Sequence, residues 1–420
     1  MTTNGAVGAA VVVAIAMSAC SGASHPKTAP PTSAQSTTSS RPVSPTSTGT
    51  PTSGPPTTTP ARPQPPVGGP VPSGFEPGSV SFVATNTGFV LGTALACSSQ
   101  RPCSLLVRTS DAGVHWVGLA GPAASYVTLV GESSAGSEPA VSEIRFADAL
   151  DGWAYGPALY ATHDGAATWA RVNVGGNVVA LETAAGYVDA VVASCPLPTE
   201  CHGALRLEQA RATGGPFTTV LSGPAGQVGG VDAPDLMLQP PAGFVILGRG
   251  TSPGTAWLDA TESLSNPHGW NRFPDPCAGT GFALTAMVAP TSTVLYSLCS
   301  GNGAMGSSTK LAVVTENGRA RVTGRAPLAG AGGTLAATST GTLVIASASG
   351  ASFLYRSIDA GHTWATAESY PDGGLGFNDL GFTTDTQGIV IHGHPSTPSN
   401  PDQLLITHDA GTTWQALSFG

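Results

Sequence analysis

Two histidines near the C-terminus have the spacing of metal ligands. His392 and His394 are separated by one glycine, so both imidazoles would lie on the same face of a β-strand. Neutral imidazole is a common ligand of zinc. The sequence identifies no third ligand beside them, and a proline-rich stretch, 395–401, follows directly. We therefore expect the pair to lie at the edge of an exposed loop, with a metal site as the alternative, and we expect no bound metal.

Other sequence motifs that carry chemistry are absent. The chain has no glycine-rich phosphate loop, no Gly-x-Ser-x-Gly elbow and no paired Cys-x-x-Cys. Its formal net charge is -9, and no run of lysine or arginine could hold a phosphate backbone. We therefore expect no cofactor and no nucleic-acid partner.

The seven cysteines separate into one near the N-terminus and six farther along the chain. The six fall in sequence as Cys97 and Cys103, Cys195 and Cys201, and Cys277 and Cys299. An even set of this kind is typical of disulfides in an oxidising compartment, whereas zinc sites need closely spaced cysteine pairs or neighbouring histidines. We predict three local disulfides, and the third pairing is inferred by elimination.

The remaining cysteine, Cys20, follows an apolar stretch from Ala9 to Met17 that is too short to span a bilayer. This segment resembles a bacterial lipoprotein signal, which implies cleavage after residue 19 and diacylation of Cys20. Two acyl chains would hold the protein firmly on the outer face of the cytoplasmic membrane. One alternative is an ordinary signal peptide, in which Cys20 would have no special role. Another is that part of the protein is secreted.

Residues 20–76 have the composition of a disordered tether. They are mostly Pro, Ser, Thr, Gly and Ala, with too few large apolar side chains to offset the entropy of an ordered chain. The rest of the sequence, 77–420, differs because it contains alternating apolar segments. The chain has 55 glycines and 36 prolines with few charges, which favours a turn-rich all-β domain there.

Four copies of a short motif recur in this domain. Each has an aspartate, a glycine one or two places later and a tryptophan five places after the aspartate. The copies are Asp111-Gly113-Trp116, Asp164-Gly165-Trp169, Asp359-Gly361-Trp364 and Asp409-Gly411-Trp414. Recurrence at this level indicates a repeat architecture.

A second element precedes some of these copies and extends the repeat. It has a phenylalanine, a polar turn and then a glycine, as in Phe82 to Gly88, Phe146 to Gly152 and Phe382 to Gly388. Each reads as two strands joined by a turn. Units that begin near residues 79, 143, 178, 234, 281, 333 and 376 bring the count to seven, with six or eight as alternatives.

The two elements together resemble the Asp-box, or bacterial neuraminidase, repeats of β-propellers that include sialidases, sortilin-type receptors and photosystem II assembly factors. The resemblance covers about residues 78–420. It implies a seven-bladed propeller in which each box is a turn between the two outer strands of a blade. The box residues would be structural, because the aspartates accept N–H bonds, the glycines adopt positive φ and the tryptophans pack below.

Sialidases of this family bind a carboxylate with three arginines and use a tyrosine nucleophile paired with a glutamate. Their first blade also carries an Arg-Ile-Pro tripeptide, which this sequence lacks. Arg145, Arg249 and Arg356 fall on or near predicted strands and could converge at the axis. The tyrosine candidates are Tyr187, Tyr296 and Tyr355. Residues scattered in this way are more often surface pairs and core aromatics, so we assign no catalytic residue.

The sequence thus predicts a monomeric cell-envelope lipoprotein whose propeller binds or scaffolds a protein or glycan partner. A fold alone does not determine function. An atypical sialidase-like glycoside hydrolase and an assembly factor for a membrane complex remain as alternatives.

Overall fold

The computed structural model describes residues 62–420 except 95–96, 98–102, 128–138, 195–204, 224–233, 249–251, 305, 331–332 and 394–401. The predicted signal peptide, Cys20 and the pair Cys195 and Cys201 lie outside the described residues. The described part of the chain consists of strands and turns. It contains no helix that could cross a membrane.

Seven four-stranded antiparallel sheets, the blades, follow one another along the chain. Blade 1 comprises β1 (Phe75–Phe82), β2 (Gly88–Ala94), β3 (Leu105–Thr109) and β4 (Val117–Leu119). Blade 2 comprises β7 (Glu143–Phe146), β8 (Gly152–Tyr155), β9 (Leu159–Thr162) and β10 (Ala170–Val172), and blade 3 comprises β11 (Asn177–Ala184), β12 (Tyr187–Ala193), β13 (Leu205–Arg211) and β14 (Thr218–Ser222). Blade 4 comprises β15 (Asp235–Gln239), β16 (Ala242–Gly248), β17 (Trp257–Thr261) and β18 (Asn271–Phe273). A short parallel pair, β5 (Ser125–Tyr126) and β6 (Ala140–Val141), links blades 1 and 2.

Blades 5 to 7 complete the ring. Blade 5 comprises β19 (Ala283–Val288), β20 (Val294–Ala304), β21 (Ser307–Glu316) and β22 (Arg319–Ala326). Blade 6 comprises β23 (Thr334–Ala337), β24 (Leu343–Ala348), β25 (Ser352–Ser357) and β26 (Ala365–Tyr370). Blade 7 comprises β27 (Phe377–Phe382), β28 (Gly388–His392), β29 (Gln403–Thr407) and β30 (Gln415–Ala416). The first strand of each blade lies innermost, and β27 contacts β1. The prediction of a seven-bladed all-β propeller is confirmed, and the predicted unit starts fall within a few residues of the first strands.

Both faces of each sheet are apolar, and each packs against a neighbouring blade. On β2, Phe89 and Leu91 point into the cluster shared with blade 2, whereas Val90 points into the cluster shared with blade 7. This alternation follows from the two-residue period of a strand. Seven buried clusters result, one for each pair of neighbouring blades.

The four Asp boxes form turns between the third and fourth strands of blades 1, 2, 6 and 7. In blade 6, a carboxylate oxygen of Asp359 accepts hydrogen bonds from the Ser357 hydroxyl and the Thr363 N–H, both at 2.8 Å. The Ser357 hydroxyl in turn accepts the Gly361 N–H at 2.8 Å. The other three boxes repeat these contacts, with Thr109, Thr162 and Thr407 in place of the serine.

The second box reverses the order of its two turn residues without changing the turn. In blade 6, Ala360 and Gly361 have φ of 58° and 89°, whereas in blade 2 Gly165 and Ala166 have φ of 72° and 70°. Two successive residues with positive φ are therefore the constant feature. Ala166 is fully buried, so a larger side chain would not fit there.

Each box tryptophan packs between its own blade and the preceding one. Trp414 belongs to the cluster of blades 6 and 7, and Trp116 to that of blades 7 and 1. Trp169 packs into the cluster of blades 1 and 2, and its Nε1–H donates to the carbonyl of Ala120 at 2.8 Å. The tryptophan thus acts as a wedge that joins two sheets.

The ring closes without exchange of a strand between its ends. Blade 1 uses the first four strands of the domain and blade 7 the last four. The ring of Phe419, after the last strand, lies 5.0 Å from the rings of both Phe75 and Trp116. The Gln387 side chain also donates to the carbonyl of Thr85 at 3.0 Å. Closure therefore depends on packing between two faces.

The described part of the predicted tether contacts the propeller. Gly69 pairs with Gly118 through two backbone hydrogen bonds of 2.9 Å, so the segment runs along the outer edge of blade 1. Arg62 forms ion pairs with Asp148, at 2.9 Å, and with Asp151 in blade 2. Residues from 62 onward are therefore ordered against the domain despite their composition.

Two of the predicted disulfides are present among the described residues. Cys97 and Cys103 close the loop between β2 and β3. Cys277, in the connection between blades 4 and 5, bonds Cys299 on β20. The second bond therefore fixes an interblade connection to the blade that follows it.

Replacing Trp414 by alanine tests the wedge. We expect Trp414→Ala to lower the free energy of unfolding by about 3 to 5 kcal/mol, because the change leaves a cavity between blades 6 and 7. Denaturant unfolding followed by circular dichroism measures the loss. His408→Ala, an exposed residue of the same box, serves as the control and should change stability by less than about 0.5 kcal/mol. Equal effects of the two changes would contradict the packing role.

Candidate functional site

A cavity of about 680 Å³ lies on the propeller axis, lined by residues from the first strands of all seven blades. Its rim includes Gln239, Pro290, Ser339 and Asp385, which belong to or adjoin the turns after the first strands. These turns share one face of the ring with the Asp boxes, since the Ala410 N–H donates to the Thr386 carbonyl at 2.9 Å. We call it the box face, and the axial cavity opens on it.

The walls of the axial cavity differ in chemistry around the ring. Blades 4, 5 and 6 supply an apolar wall made of Leu236, Leu238, Val288, Leu335 and Ala337. Leu236, Leu335 and Ala337 are largely buried in the clusters between blades, so Leu238 and Val288 are the more exposed part of this wall. Blades 2, 3 and 7 supply the charged residues Arg145, Glu182 and Asp379. A ligand in this cavity would therefore meet apolar side chains on one side and ions on the other.

Arg145 is the only arginine among the described residues that line the axial cavity. Its guanidinium lies 2.8 Å from Glu182, 3.3 Å from Asp379 and 3.8 Å from Glu143. It also donates to the backbone carbonyl of Ile144 at 2.7 Å. Three carboxyl groups and one carbonyl surround this single cation, and the cluster stays acidic even when Glu143 is protonated, because Glu182 and Asp379 together face one guanidinium.

Asp379 reaches this cluster through a distortion of its strand. Its φ is 49°, and the pairing of β27 with β28 shifts register between Asn378 and Gly381. Aspartate tolerates this left-handed conformation better than most residues do. The second carboxylate oxygen of Asp379 accepts the N–H of Val80 at 2.7 Å, which ties blade 7 to blade 1.

Glu143 lies behind Arg145 and is not among the residues that line the axial cavity. Its carboxylate accepts the Ser79 hydroxyl at 3.0 Å, and Ser79 accepts the N–H of Ile144 at 3.1 Å. Burial, together with the charge of Asp379, raises the pKa of Glu143 well above its usual range. Protonation of Glu143 relieves repulsion within the cluster.

The other candidates for a sialidase-like site do not join Arg145. Arg356 donates to the carbonyl of Ala410 at 2.7 Å, and Arg249 lies outside the described residues. Tyr187 lies under the guanidinium of Arg211, Tyr355 stacks on Phe353, and Tyr296 is in the core of blades 5 and 6. The possible convergence of three arginines is therefore not seen among the described residues. A tyrosine that the sequence did not single out, Tyr155, lies close enough to Arg145 for the charge of Arg145 to oppose the rise that burial causes in its pKa, but it is buried in the core of blades 2 and 3.

His392 is not at an exposed loop edge. It is 7% exposed, its Nε2 lies 2.7 Å from Asp372, and its ring stacks on Tyr370 with centroids 4.1 Å apart. His394 lies outside the described residues. Among the described His, Cys, Asp and Glu side chains, no group of three is arranged to hold a metal ion. The expectation of an exposed histidine failed because the strand extends through His392 into the core.

Asp402 is a buried carboxylate that the sequence did not indicate. Among the described residues, neither of its carboxylate oxygens has a hydrogen-bond partner. Burial and the charge of Glu76 raise the pKa of Asp402 to about 8. The folded structure therefore favours the protonated form of Asp402.

Comparison with known proteins identifies the fold. No protein-family model matches the sequence, and no curated protein matches it. Among solved structures, YCF48 bound to a D1 peptide matches with a TM-score of 0.51 and 15% identity, over 83% of this chain and 99% of that one. YCF48 from Cyanidioschyzon merolae matches with a TM-score of 0.51 and 15% identity, over 81% and 97%. Likeness at this identity shows a shared β-propeller fold.

The buried carboxylates predict how stability depends on pH. Unfolded Asp402 would lose its proton near pH 3.8, whereas folded Asp402 keeps it to about pH 8. The unfolded state binds fewer protons in this window, so stability falls as the pH rises. We expect a melting temperature on the order of 5 °C lower at pH 8 than at pH 5, and a smaller difference in Asp402→Asn.

Melting temperatures measured below pH 5 test the contribution of the box aspartates to stability. Hydrogen bonds from Thr363 lower the pKa of Asp359 to about 2, so its stabilising contribution is lost only as the pH falls from about 4 towards 2. Maximal stability should therefore lie near pH 4 to 5. A melting temperature that rises steadily from pH 5 to 8 would contradict the assignment of Asp402.

Proposed function

We propose that this propeller is a binding module that takes a positively charged polypeptide segment into its axial cavity. The observation that carries the proposal is the saturation of Arg145 by Glu143, Glu182 and Asp379. A guanidinium held in this way has few free donors for an anionic ligand. The excess carboxylate charge instead favours a cation, and the apolar wall suits the aliphatic side chains of the same segment.

Binding is favoured over glycoside hydrolysis by the state of the carboxylates. Glycosidases place a protonated acid and a free carboxylate on either side of the scissile bond. Here Glu182 and Asp379 both form ion pairs with Arg145. Burial also raises the pKa of Glu182, which lines the cavity, but its carboxylate accepts the Arg145 guanidinium at 2.8 Å. Glu143, whose pKa is raised as well, is not among the residues that line the cavity.

A polypeptide partner is consistent with the size and position of the axial cavity. Its volume of about 680 Å³ lies in the range of typical ligand sites. One of the similar propellers was solved bound to a peptide. That likeness concerns the fold, so it supports a polypeptide ligand without identifying one.

We further propose that the domain works at the cell envelope, held by a lipid on Cys20. This part of the proposal rests on the sequence before residue 62, namely the apolar stretch, the small residues before Cys20 and the tether composition. Six cysteines in an even set agree with an oxidising compartment.

Peptides of opposite charge test the proposed function. The full chain, purified in detergent, is titrated with two peptides of equal length, one alternating Leu and Lys and the other alternating Leu and Glu. We expect the Lys peptide to bind at least about tenfold more tightly, and its affinity to fall as salt screens the cluster. Isothermal titration calorimetry measures both affinities.

Two tryptophan substitutions localise the binding. Gln239→Trp should block the mouth of the axial cavity and abolish binding of the Lys peptide, because Gln239 lines the rim. Thr386→Trp, on an exposed turn of the same face outside the cavity lining, is the matched control and should bind normally. Equal binding of the two peptides, or binding that survives Gln239→Trp, would refute the proposal.

A further inference from the structure

Among the described residues, the interface between blades 4 and 5 lacks the aromatic wedge that each of the other six interfaces contains. In those six, the connection between the third and fourth strands of one blade supplies an aromatic ring to the cluster shared with the preceding blade. The six rings are Trp116, Trp169, Phe217, Trp270, Trp364 and Trp414. Blade 5 instead joins β21 to β22 by a two-residue turn, Asn317 and Gly318, with φ of 50° and 74°. This turn carries no aromatic residue.

A groove of about 820 Å³ lies where the wedge is missing. It opens between the turns of blades 4 and 5, which supply Glu262, Ser263, Ser292 and Thr293 to its rim. Its apolar lining includes Phe244, Phe273 and Leu295, and the two phenylalanine rings meet edge to face at 5.7 Å. The groove is separate from the axial cavity, with which it shares no lining residue.

The groove also contains a buried hydroxyl without a partner. Thr315 stands at the end of β21, two residues before Asn317, as Thr407 stands two residues before Asp409 in a complete box. Thr407 accepts the N–H of Gly411 at 2.9 Å and donates to Asp409 at 2.8 Å. Thr315 lines the groove and is 3% exposed, yet its hydroxyl has no hydrogen-bond partner among the described residues. A buried polar group in this state favours a ligand that supplies the missing bond.

This chain has no spare aromatic residue for the groove. Residues 1–61 and the other segments outside the described residues contain no Phe, Tyr or Trp. The large apolar side chains that the described surface exposes are all aliphatic: Val67, Val114, Val322, Leu328 and Ile358. A second copy of the chain would therefore present no fully exposed aromatic ring among its described residues either. We accordingly look for the occupant of the groove in another molecule.

We propose that the groove between blades 4 and 5 is a docking site for a tryptophan side chain on an extended segment of a partner polypeptide. The indole would lie against Phe244 and Phe273 as a box tryptophan lies between other blades. Its Nε1–H would donate to the Thr315 hydroxyl. The neutral rim residues Asn271, Ser292 and Asn317 suit the backbone of such a segment. Arg272 adds little charge selectivity, because its guanidinium donates to the carbonyls of Leu258 and Ala256 at 3.0 and 2.8 Å.

The box sequence of this chain provides the probe. An acetylated, amidated peptide Asp-Ala-Gly-His-Thr-Trp, identical to residues 359–364, is titrated into the full chain in detergent and followed by NMR or calorimetry. We expect one-to-one binding with a Kd on the order of 1 mM or tighter. The same peptide with alanine in place of tryptophan should bind at least about tenfold more weakly. No saturable binding, or equal binding of the two peptides, would overturn the proposal.

Matched substitutions in two corresponding turns locate the site. The Thr293 carbonyl accepts the N–H of Asn317 in blade 5, as the Thr386 carbonyl accepts that of Ala410 in blade 7. Thr293→Trp should fill the groove and abolish peptide binding, whereas Thr386→Trp should leave it unchanged. Neither residue lines the axial cavity, so both variants should keep the affinity for the Leu-Lys peptide. Tryptophan-peptide binding that survives Thr293→Trp would place the site elsewhere and refute the proposal.

A change at Thr315 separates ligand binding from folding. Thr315→Val removes a hydroxyl that bonds nothing described, so the melting temperature should stay equal or rise. Thr407→Val, in a complete box, should lower it. Thr315→Val should also weaken binding of the tryptophan peptide by about five- to tenfold. Binding of the same peptide with phenylalanine in place of tryptophan should not change, since the phenylalanine ring has no N–H to donate. A lower melting temperature with unchanged selectivity would show that Thr315 is structural.

Discussion

The structure depends on the packing of one sheet face against the next. Each blade is apolar on both faces, so a blade is stable only with a neighbour on each side, and the ring is the arrangement in which no face is left over. The chain ends contribute separate blades and share no strand. Closure therefore requires the same face-to-face packing between blades 7 and 1 that joins every other pair. The box turns position a tryptophan at most of these contacts. This packing role explains why the box recurs around the ring, whereas a catalytic residue would be needed at one place only.

The axial ion cluster is the polar counterpart of this packing. Arg145 in blade 2 links side chains of blades 3 and 7, and Asp379 links blade 7 to the backbone of blade 1. The charges that make the cavity acidic thus also join four of the seven blades. Removing a single partner would leave a partly buried charge uncompensated, which is usually more costly than replacing the whole group. The chemistry of the cavity and the closure of the ring are for this reason coupled.

The sequence predicted the fold because the repeats are local signals. A turn that needs an aspartate, two residues with positive φ and a tryptophan can be recognised within eight residues. Four blades carry this turn, and the phenylalanine-to-glycine element and looser strand patterns gave the starts of the others. The axial cluster could not be predicted, because Glu143 and Asp379 are neighbours only once the ring closes. The burial of His392 beside Asp372 likewise depends on contacts between distant segments. The groove had a signal in the sequence. The turn Thr315-Glu-Asn-Gly is not followed by an aromatic residue, whereas the corresponding turns of the other repeats are.

The described chain before β1 begins on the box face of the propeller. Arg62 is held by Asp148 and Asp151, in the turn between β7 and β8, so the first described residue lies at the rim of the box face. The axial cavity and the groove between blades 4 and 5 open on this same face. The described chain therefore enters the propeller on the face that carries both openings, and the charges of Arg62, Asp148 and Asp151 lie on that face as well.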